Sequence, residues 1–333
     1  MREICRGRLA AAGFTVAEQA FEYSAFPGRW ATPLGGAIAC LTIVAAAALG
    51  RNLHPAAAVV LVVVVALGLA VGGRMIARRV TTLSWSPAAS VNLVATRGSP
   101  RVWLVAHLDS KSQPVAMLAR ITGIVVVAAT MITLCALALT AMSGALVPAR
   151  AWNILALLGA VASLPVMTSV VGAKSPGALD NGSGIVTVLL AAEALPREMP
   201  VGVLLTSAEE LGMAGARAFA GAKRAAMAIN VDGVDDRGST ICMYHGRAAR
   251  VRVGVARAAR AIGMQVREQP TIPGLLTDGV ALGEAGWSAV TLSRGGLRTL
   301  WRIHRAADTA DRLSGVGMHE LARLVASAAR EIA

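Results

Sequence analysis

Five carboxylates and two histidines hold most of the chemistry that this sequence can offer, and their neighbours indicate where they stand. His107 and Asp109 follow an apolar run at 102–106, Glu209 and Glu210 follow another at 201–206, and Asp232 ends a third at 226–231. Asp180 opens the Gly-rich turn Asp-Asn-Gly-Ser-Gly, and His304 stands late in the chain within Arg-Ile-His-Arg-Ala-Ala-Asp-Thr. Imidazole nitrogens and carboxylate oxygens are zinc ligands, and a catalytic zinc keeps one position open for water. Gathered on one edge of a fold, these residues point to a metal site.

Each residue alone has a plainer reading. Paired glutamates at a helix start favour the helix dipole, and Asp180 has the type and place of a helix N-cap. Asp232 could only end a strand in a turn, and His304 could be a solvated loop histidine. The weight lies in the set and its order along the chain.

The elements that must position these residues read as alternating strands and helices. A helix at 1–12 stopped by Gly13 and a strand at 14–23 open the chain; strands at 91–96 and 102–106 follow, joined as a hairpin by Arg-Gly-Ser-Pro. A helix at 182–195, a strand at 201–206, a helix at 210–223 and strands at 226–231 and 240–244 come next. A helix at 248–263, a strand at 287–292 and a helix at 316–332 close the sequence. This alternation predicts an α/β fold with a mostly parallel central sheet covered on both faces. In such folds ligand sites gather outside the carboxyl ends of the strands, which is where most of the candidate residues fall.

In that order, AHLDS (106–110), GALDNGSG (177–184), SAEELGMAGAR (207–217), INVDG (229–233) and IHRAADT (303–309) resemble the co-catalytic dizinc exopeptidases. These include bacterial leucyl aminopeptidase, aminopeptidase Y and glutamate carboxypeptidase. The likeness covers residues 80–112 and 175–333, and the opening LAAAGFTVAEQAFEYS is similar to that family's first helix and strand. The resemblance implies the family's three-layer fold and two zinc ions. Asp180 would bridge them, with His107 and Asp232 completing one set of protein ligands and Glu210 and His304 the other. Glu209 would be the general base, Asp109 would orient His107 through its second ring nitrogen, and Asp308 would do the same near His304. The implied activity is aminopeptidase hydrolysis of peptides. Same-fold carboxypeptidase or glutaminyl-cyclase-like chemistry, and a catalytically inactive membrane receptor or scaffold, stay open as alternatives. Thr277-Asp278-Gly279 stands where relatives carry Ser-Asp-His, so the histidine of that loop is missing.

Composition adds a second component. Of 333 residues 55% are hydrophobic and only 15% charged, against about 25% charged in ordinary soluble domains, so part of the chain belongs in lipid. Residues 31–50, 55–73, 121–147 and 151–173 are uncharged runs near the roughly 20 residues that a helix needs to cross a bilayer. They form two hairpins. The net charge of +13 is concentrated beside them, because residues 1–174 hold 14 Lys and Arg against four acids. Basic residues interleaved with apolar spans mark membrane flanks rather than a nucleic-acid surface. A transporter would need polar groups along its spans, and these have almost none. Arg2, Arg6, Arg8, Arg29, Arg74, Arg78, Arg79, Arg97, Arg101, Lys111, Arg120 and Lys174 outweigh Arg51 and Arg150 in the opposite turns. The positive-inside rule therefore places the catalytic part of this multi-pass cell-membrane protein in the cytoplasm.

The first ligand pair, His107 and Asp180, is 73 positions apart, and the surplus is the second hairpin. The sequence predicts a discontinuous peptidase domain of 1–30, 80–118 and 175–333, interrupted by hairpins at 31–79 and 119–174. With seven positions between residue 173 and Asp180, the metal centre would lie within roughly 25 Å of the membrane end of the last span, favouring peptides presented near the bilayer. Arg294, Arg298, Arg302 and Arg305 crowd the approach to His304; they read first as a solvated or lipid-facing basic loop, with contact to a substrate carboxylate as the alternative. Cys5, Cys40, Cys135 and Cys242 show no disulfide or metal-knuckle spacing.

Overall fold

The computed structural model describes residues 1–246, 248–272 and 274–333. In chain order the elements are α1 (Arg2–Ala11), β1 (Thr15–Ser24), α2 (Thr32–Arg51), α3 (Pro55–Arg78), β2 (Pro87–Thr96), β3 (Val102–His107), α4 (Met117–Met142) and α5 (Ala149–Met167). There follow α6 (Gly184–Ala194), β4 (Val201–Thr206), α7 (Ala214–Ala222), β5 (Met227–Val234), β6 (Ser239–Tyr244), α8 (Ala249–Ala261), β7 (Val266–Pro270), α9 (Asp278–Glu284), β8 (Ser288–Gly295), α10 (Leu297–Arg302) and α11 (Val316–Ile332). They form two compact units. One comprises Met1–Ala25, Thr81–Ser112 and Ala173–Ala333; the other comprises Phe26–Val80 and Gln113–Gly172.

The first unit is built on an eight-stranded sheet of order β1-β2-β4-β3-β5-β8-β6-β7. Its centre, β4, β3, β5 and β8, is parallel, while β1, β2 and β6 enter antiparallel. Val-Trp-Leu-Val-Ala-His in β3 and Val-Gly-Val-Leu-Leu-Thr in β4 are buried throughout, as central strands covered on both faces must be. The alternation of β3 divides it between layers. Val102, Leu104 and Ala106 pack with Cys5 and Leu9 of α1 and with α6, α8 and α11, while Trp103 and Val105 pack with α7 and α9. On the latter face the Trp103 ring meets Phe219 at 4.8 Å and Trp287 at 6.4 Å. Gly202 of β4 makes room for it, since a Cβ there would stand 2.4 Å from the indole.

The expected hairpin of β2 with β3 does not form. β2 pairs with β1 and β4, and β4 lies between it and β3. The turn residues correctly mark a chain reversal, but β3 gains two parallel partners only by moving one position inward. The predicted helix from 210 begins at Ala214, because Ala208 and Met213 take left-handed backbone angles (φ 57° and 58°) and hold 207–213 as a tight loop. The edge strand β7, whose Val-Arg-Glu-Gln-Pro lacks an apolar face, and the short α9 and α10 carry no periodic signal in the sequence.

The second unit consists of α2, α3, α4 and α5, four helices long and apolar enough to cross a membrane. Its interior is made of small and apolar side chains, among them Ile43, Ala46, Val62, Leu134, Ala138 and Trp152. Close approach is permitted by glycine: a Cβ on Gly50 would stand 2.4 Å from the Trp152 ring, and one on Gly159 would stand 2.6 Å from Ile43. The outer faces stay apolar too, with Val64, Leu67, Val71, Ile132 and Leu157 exposed, the all-round hydrophobicity of lipid-facing helices. Thr42, Thr130 and Ser163 donate their hydroxyls to carbonyls four residues back, so these three buried hydroxyls are satisfied within their own helices. α5 ends at Met167, six residues short of the apolar run, where the hydroxyls of Thr168 and Ser169 take the carbonyls of Leu164 and Pro165. Asp180 thus follows the helix end by 13 positions rather than seven, which loosens the short-tether argument.

Candidate metal centre

The topology brings the candidate residues to one end of the sheet. His107 is the last residue of β3, Glu209 and Glu210 sit in the loop after β4, and Asp232 lies in the irregular stretch between Val231 and Val234 near the end of β5. Asp180 stands in the turn before α6, and His304 follows α10. Together they form two groups, His107–Asp180–Asp232 and Asp180–Glu210–His304, with the ligand atoms of each within 4.8 Å of one another. Asp180 belongs to both and offers a different oxygen to each. Its Oδ1 is 3.2 Å from His107 Nε2, and its Oδ2 is 2.9 Å from His304 Nε2. Asp232 Oδ1 lies 3.6 Å from His107 Nε2, and Glu210 Oε1 lies 3.1 Å from His304 Nε2. Glu209 is buried next to Glu210 and belongs to neither group.

Neighbouring residues hold each member in place. His107 Nδ1 stands 2.9 Å from the main-chain carbonyl of Asp109. A carbonyl only accepts, so Nδ1 carries the proton and Nε2 faces Asp180 and Asp232. The Asp109 carboxylate, which the sequence assigned to orienting that ring, is 3.7 Å from Nδ1 and instead accepts the amides of Glu209 and Glu210 at 3.1 and 3.2 Å. Asp308 likewise does not reach His304. Its two oxygens accept the amides of Leu179 and Asp180 at 2.8 and 3.2 Å, fixing the backbone of the shared ligand. Asn181 donates to the carbonyl of Val231 and accepts the amides of Gly184 and Gly233, tying the Asp180 turn to the Asp232 segment. Gly184 is required there, because a Cβ would stand 2.0 Å from the Asn181 carbonyl oxygen. His304 itself is left-handed (φ 61°), a conformation that costs a non-glycine residue on the order of 1 kcal/mol and that recurs at functional sites.

The electrostatics favour a cation. The lone pair of a neutral His107 Nε2 would confront two carboxylate oxygens, a repulsion that only a proton or metal ion between them relieves. Burial opposes a charge on His107, but Glu209, Asp180 and Asp232 outweigh it and hold its pKa well above the usual value. Burial likewise opposes ionisation of Asp180, yet the imidazoles of His107 and His304 keep its carboxyl well below the ordinary range. For Glu210 burial is outweighed by Lys111 and His304, giving a pKa of about 2. Glu210 Oε1 is buried and takes no hydrogen bond, the condition of an oxygen that an ion would satisfy. Burial is the main reason that the Glu209 carboxyl lies well above its normal value, with His107 opposing and Glu210, Asp232 and Asp278 reinforcing. One imidazole nitrogen and two carboxylates in each group make a donor set that suits zinc.

Sequence reasoning missed several members of the site. Lys111 places Nζ 2.5 Å from Glu210 Oε2; in the sequence it counted only as a membrane-flanking charge. Asp278, which the sequence marked only as part of a loop lacking its relatives' histidine, is fully buried at the start of α9 and accepts the Thr206 hydroxyl, and burial raises its carboxyl to about 7. Asn92 of β2 accepts the amide of Ser207 and donates to the carbonyl of Gly215, bracing the Glu209–Glu210 loop. A buried Asn in an apolar strand was the available signal. The arginines expected near His304 are partly committed elsewhere: Arg294 pairs with Glu320, Arg302 faces Asp235 at 3.7 Å, and Arg305 lies over the Trp301 ring.

The model of Peptidase family M28 matches residues 161–329, half of the chain. No curated protein matches the sequence. Among solved structures the chain is similar to a glutaminyl cyclase from Fimbriiglobus ruber (TM-score 0.53, 14% identity, covering 99% of this chain and 86% of that one). It is also similar to a leucine aminopeptidase precursor from Bacteroides thetaiotaomicron (TM-score 0.50, 13% identity, 99% and 86%). A zinc aminopeptidase from Bacillus subtilis aligns at TM-score 0.47 and 18% identity over 73% of this chain, which spans about half (51%) of that protein's length. At these identities the likeness is one of fold.

Proposed function

The chain belongs to peptidase family M28, and from that premise we propose that it is a membrane-anchored, zinc-dependent exopeptidase of the aminopeptidase type, removing N-terminal residues from peptides. The observation that carries this reading is Asp180, whose two oxygens face two histidines in two adjoining groups. His107 and Asp232 would hold one zinc ion, Glu210 and His304 the other, and Asp180 would be shared between them. When bound, the ions supply an acidified water and a polarised scissile carbonyl. Glu209 takes the proton of the attacking water and delivers it to the leaving amine. Burial raises its carboxyl well above the ordinary value. The His107 ring is presented with Nε2 inward because the Asp109 carbonyl fixes its tautomer.

The four apolar helices are read as the anchor, with the peptidase unit on the cytoplasmic side and peptides near the membrane surface as substrates. Metal analysis of the purified full-length protein, paired with hydrolysis of free-amine and N-blocked peptides, tests the assignment. Two zinc ions per chain and cleavage of free-amine peptides alone are expected. Cleavage of blocked peptides, or cyclisation of an N-terminal glutamine in place of hydrolysis, would assign the site to a different reaction.

A further inference from the structure

Lys111 stands two residues past Asp109, in the loop that leaves β3, and its ammonium lies 2.5 Å from Glu210 Oε2. Both side chains are largely withdrawn from solvent, at 15% exposure for Lys111 and 5% for Glu210. The same loop therefore holds Glu210 at both ends. Asp109 Oδ2 accepts its main-chain amide at 3.2 Å, and Lys111 takes one of its two carboxylate oxygens. The other oxygen, Oε1, is buried without a hydrogen bond and stands 3.1 Å from His304 Nε2.

A free carboxylate offers a divalent ion either oxygen or both. With Oε2 committed to an ammonium, only Oε1 is available, and the side chain cannot rotate to exchange the two without breaking the ion pair. We infer that Lys111 is a positioning residue that restricts Glu210 to a single-oxygen ligand for the ion held with Asp180 and His304. The inference rests on the metal centre proposed above. It gives that ion three protein atoms, Asp180 Oδ2, Glu210 Oε1 and His304 Nε2, and so leaves room for water and substrate. It also separates the two ions, because the His107–Asp180–Asp232 group has no such clamp on Asp232, whose Oδ1 faces His107 alone among the described ion pairs.

The opposite outcome has an equally definite physical basis. If Lys111 acted only as a positive charge near a dication, removing it would tighten metal binding. If it positions the ligand, removing it weakens binding, since partners of metal ligands are typically worth 10- to 100-fold in affinity. Zinc titration of the full-length detergent-solubilised protein against a competing chelating dye distinguishes the two. For Lys111→Met the expected result is a 10- to 100-fold loss for one ion, with the other changed by less than about threefold, and Lys111→Arg should recover most of the loss. Cobalt in place of zinc should give a weaker visible band in Lys111→Met, as the second Glu210 oxygen raises the coordination number. Lys111→Leu, which likewise removes both the charge and the donor, serves the same comparison if the methionine variant does not fold. Unchanged or tighter zinc binding in either neutral variant overturns the positioning role while leaving the metal centre intact. A wild-type protein that binds no zinc overturns both.

Discussion

Asp109 Oδ1 accepts the main-chain amide of Glu209 at 3.1 Å, so the loop after β3 and the loop after β4 are joined at the residue proposed as general base. Its second oxygen takes the next amide, that of Glu210, while its own carbonyl holds His107. The side chain and the main chain of one residue thus position different parts of the centre. Asp109→Ala removes only the side-chain part: two amides lose their acceptor, at about 1–3 kcal/mol for each group left unpaired in a buried setting, whereas the His107 contact remains. The expected result is a lowered melting temperature and a fall in turnover of about 10- to 100-fold, with zinc at His107 retained. Calorimetry and peptide hydrolysis on the same preparation check it; loss of all bound zinc would contradict this division of roles.

Glu209→Gln keeps the shape and the main-chain contacts of the general base but removes its ability to take a proton. General-base groups contribute about 10²- to 10⁴-fold, and turnover should fall by that order while zinc content stays at the wild-type value. Elemental analysis beside initial rates gives both readings. A fully active variant would exclude Glu209 from the proton path.

Asp308→Asn tests the shared ligand from behind. Asp308 accepts the amides of Leu179 and Asp180 through separate oxygens, and an asparagine must set its NH₂ against one of those N–H groups. Because Asp180 faces both groups, the affinity of both zinc ions should drop, by about tenfold or more. The pattern differs from that expected of Lys111→Met, in which a single ion is affected. Zinc titration with a chelating dye reads the distinction directly.

The site was legible in the sequence because its ligands lie at ends of strands whose apolar runs are unmistakable, as with His107 after Val-Trp-Leu-Val-Ala and Glu209 after Val-Gly-Val-Leu-Leu-Thr. Asp180 is marked by its turn, in which Gly184 and Asn181 have no substitute at the observed spacing. What stayed hidden depends on contacts between segments distant in sequence. Asn92 is 115 positions from the amide that it accepts, and Asp308 is 128 from Asp180. Local pattern also could not show that β2 and β3, joined by a short turn, are separated by β4, since that order is decided by what the strands pack against. Lys111 was misread for a related reason: its charge was counted along the chain, whereas its role depends on a loop reached only after β4.

Asp278 supplies a pH-dependent test of stability. Burial is the chief cause of its raised pKa, with Asp109 and Asp232 adding to it and His107 and the Thr206 hydroxyl opposing it. The folded carboxyl titrates near 7 against an ordinary 3.8, so between these values the folded state holds a proton that the unfolded state has released. Stability therefore declines as pH rises from 3.8 to 7, and the full penalty persists above 7. Asp278→Asn removes the charge and keeps an acceptor oxygen for the Thr206 hydroxyl. In chelator-treated protein it should be more stable than wild type at pH 8 by up to a few kcal/mol and nearly equal to it at pH 4. A stability difference independent of pH would mean that Asp278 is not the titrating group.

The membrane reading is tested by sidedness. If the four helices cross as two hairpins, the turns after α2 and after α4 would emerge on one side, and residues before α2, between α3 and α4, and after α5 on the other. The second side would hold Arg29, Arg78, Arg79 and Lys174, against Arg51 and Arg150 at the turns, and the proposed orientation, by the positive-inside rule, puts that side in the cytoplasm. Leu53 and Leu146 are exposed turn residues, and Arg330 is an exposed position on α11 of the peptidase unit. With Cys5, Cys40, Cys135 and Cys242 replaced, single cysteines at Leu53 and Leu146 should react with an impermeant maleimide in intact cells. One at Arg330 should react only after permeabilisation. The reverse pattern would place the peptidase unit outside and direct the search for substrates to extracytoplasmic peptides.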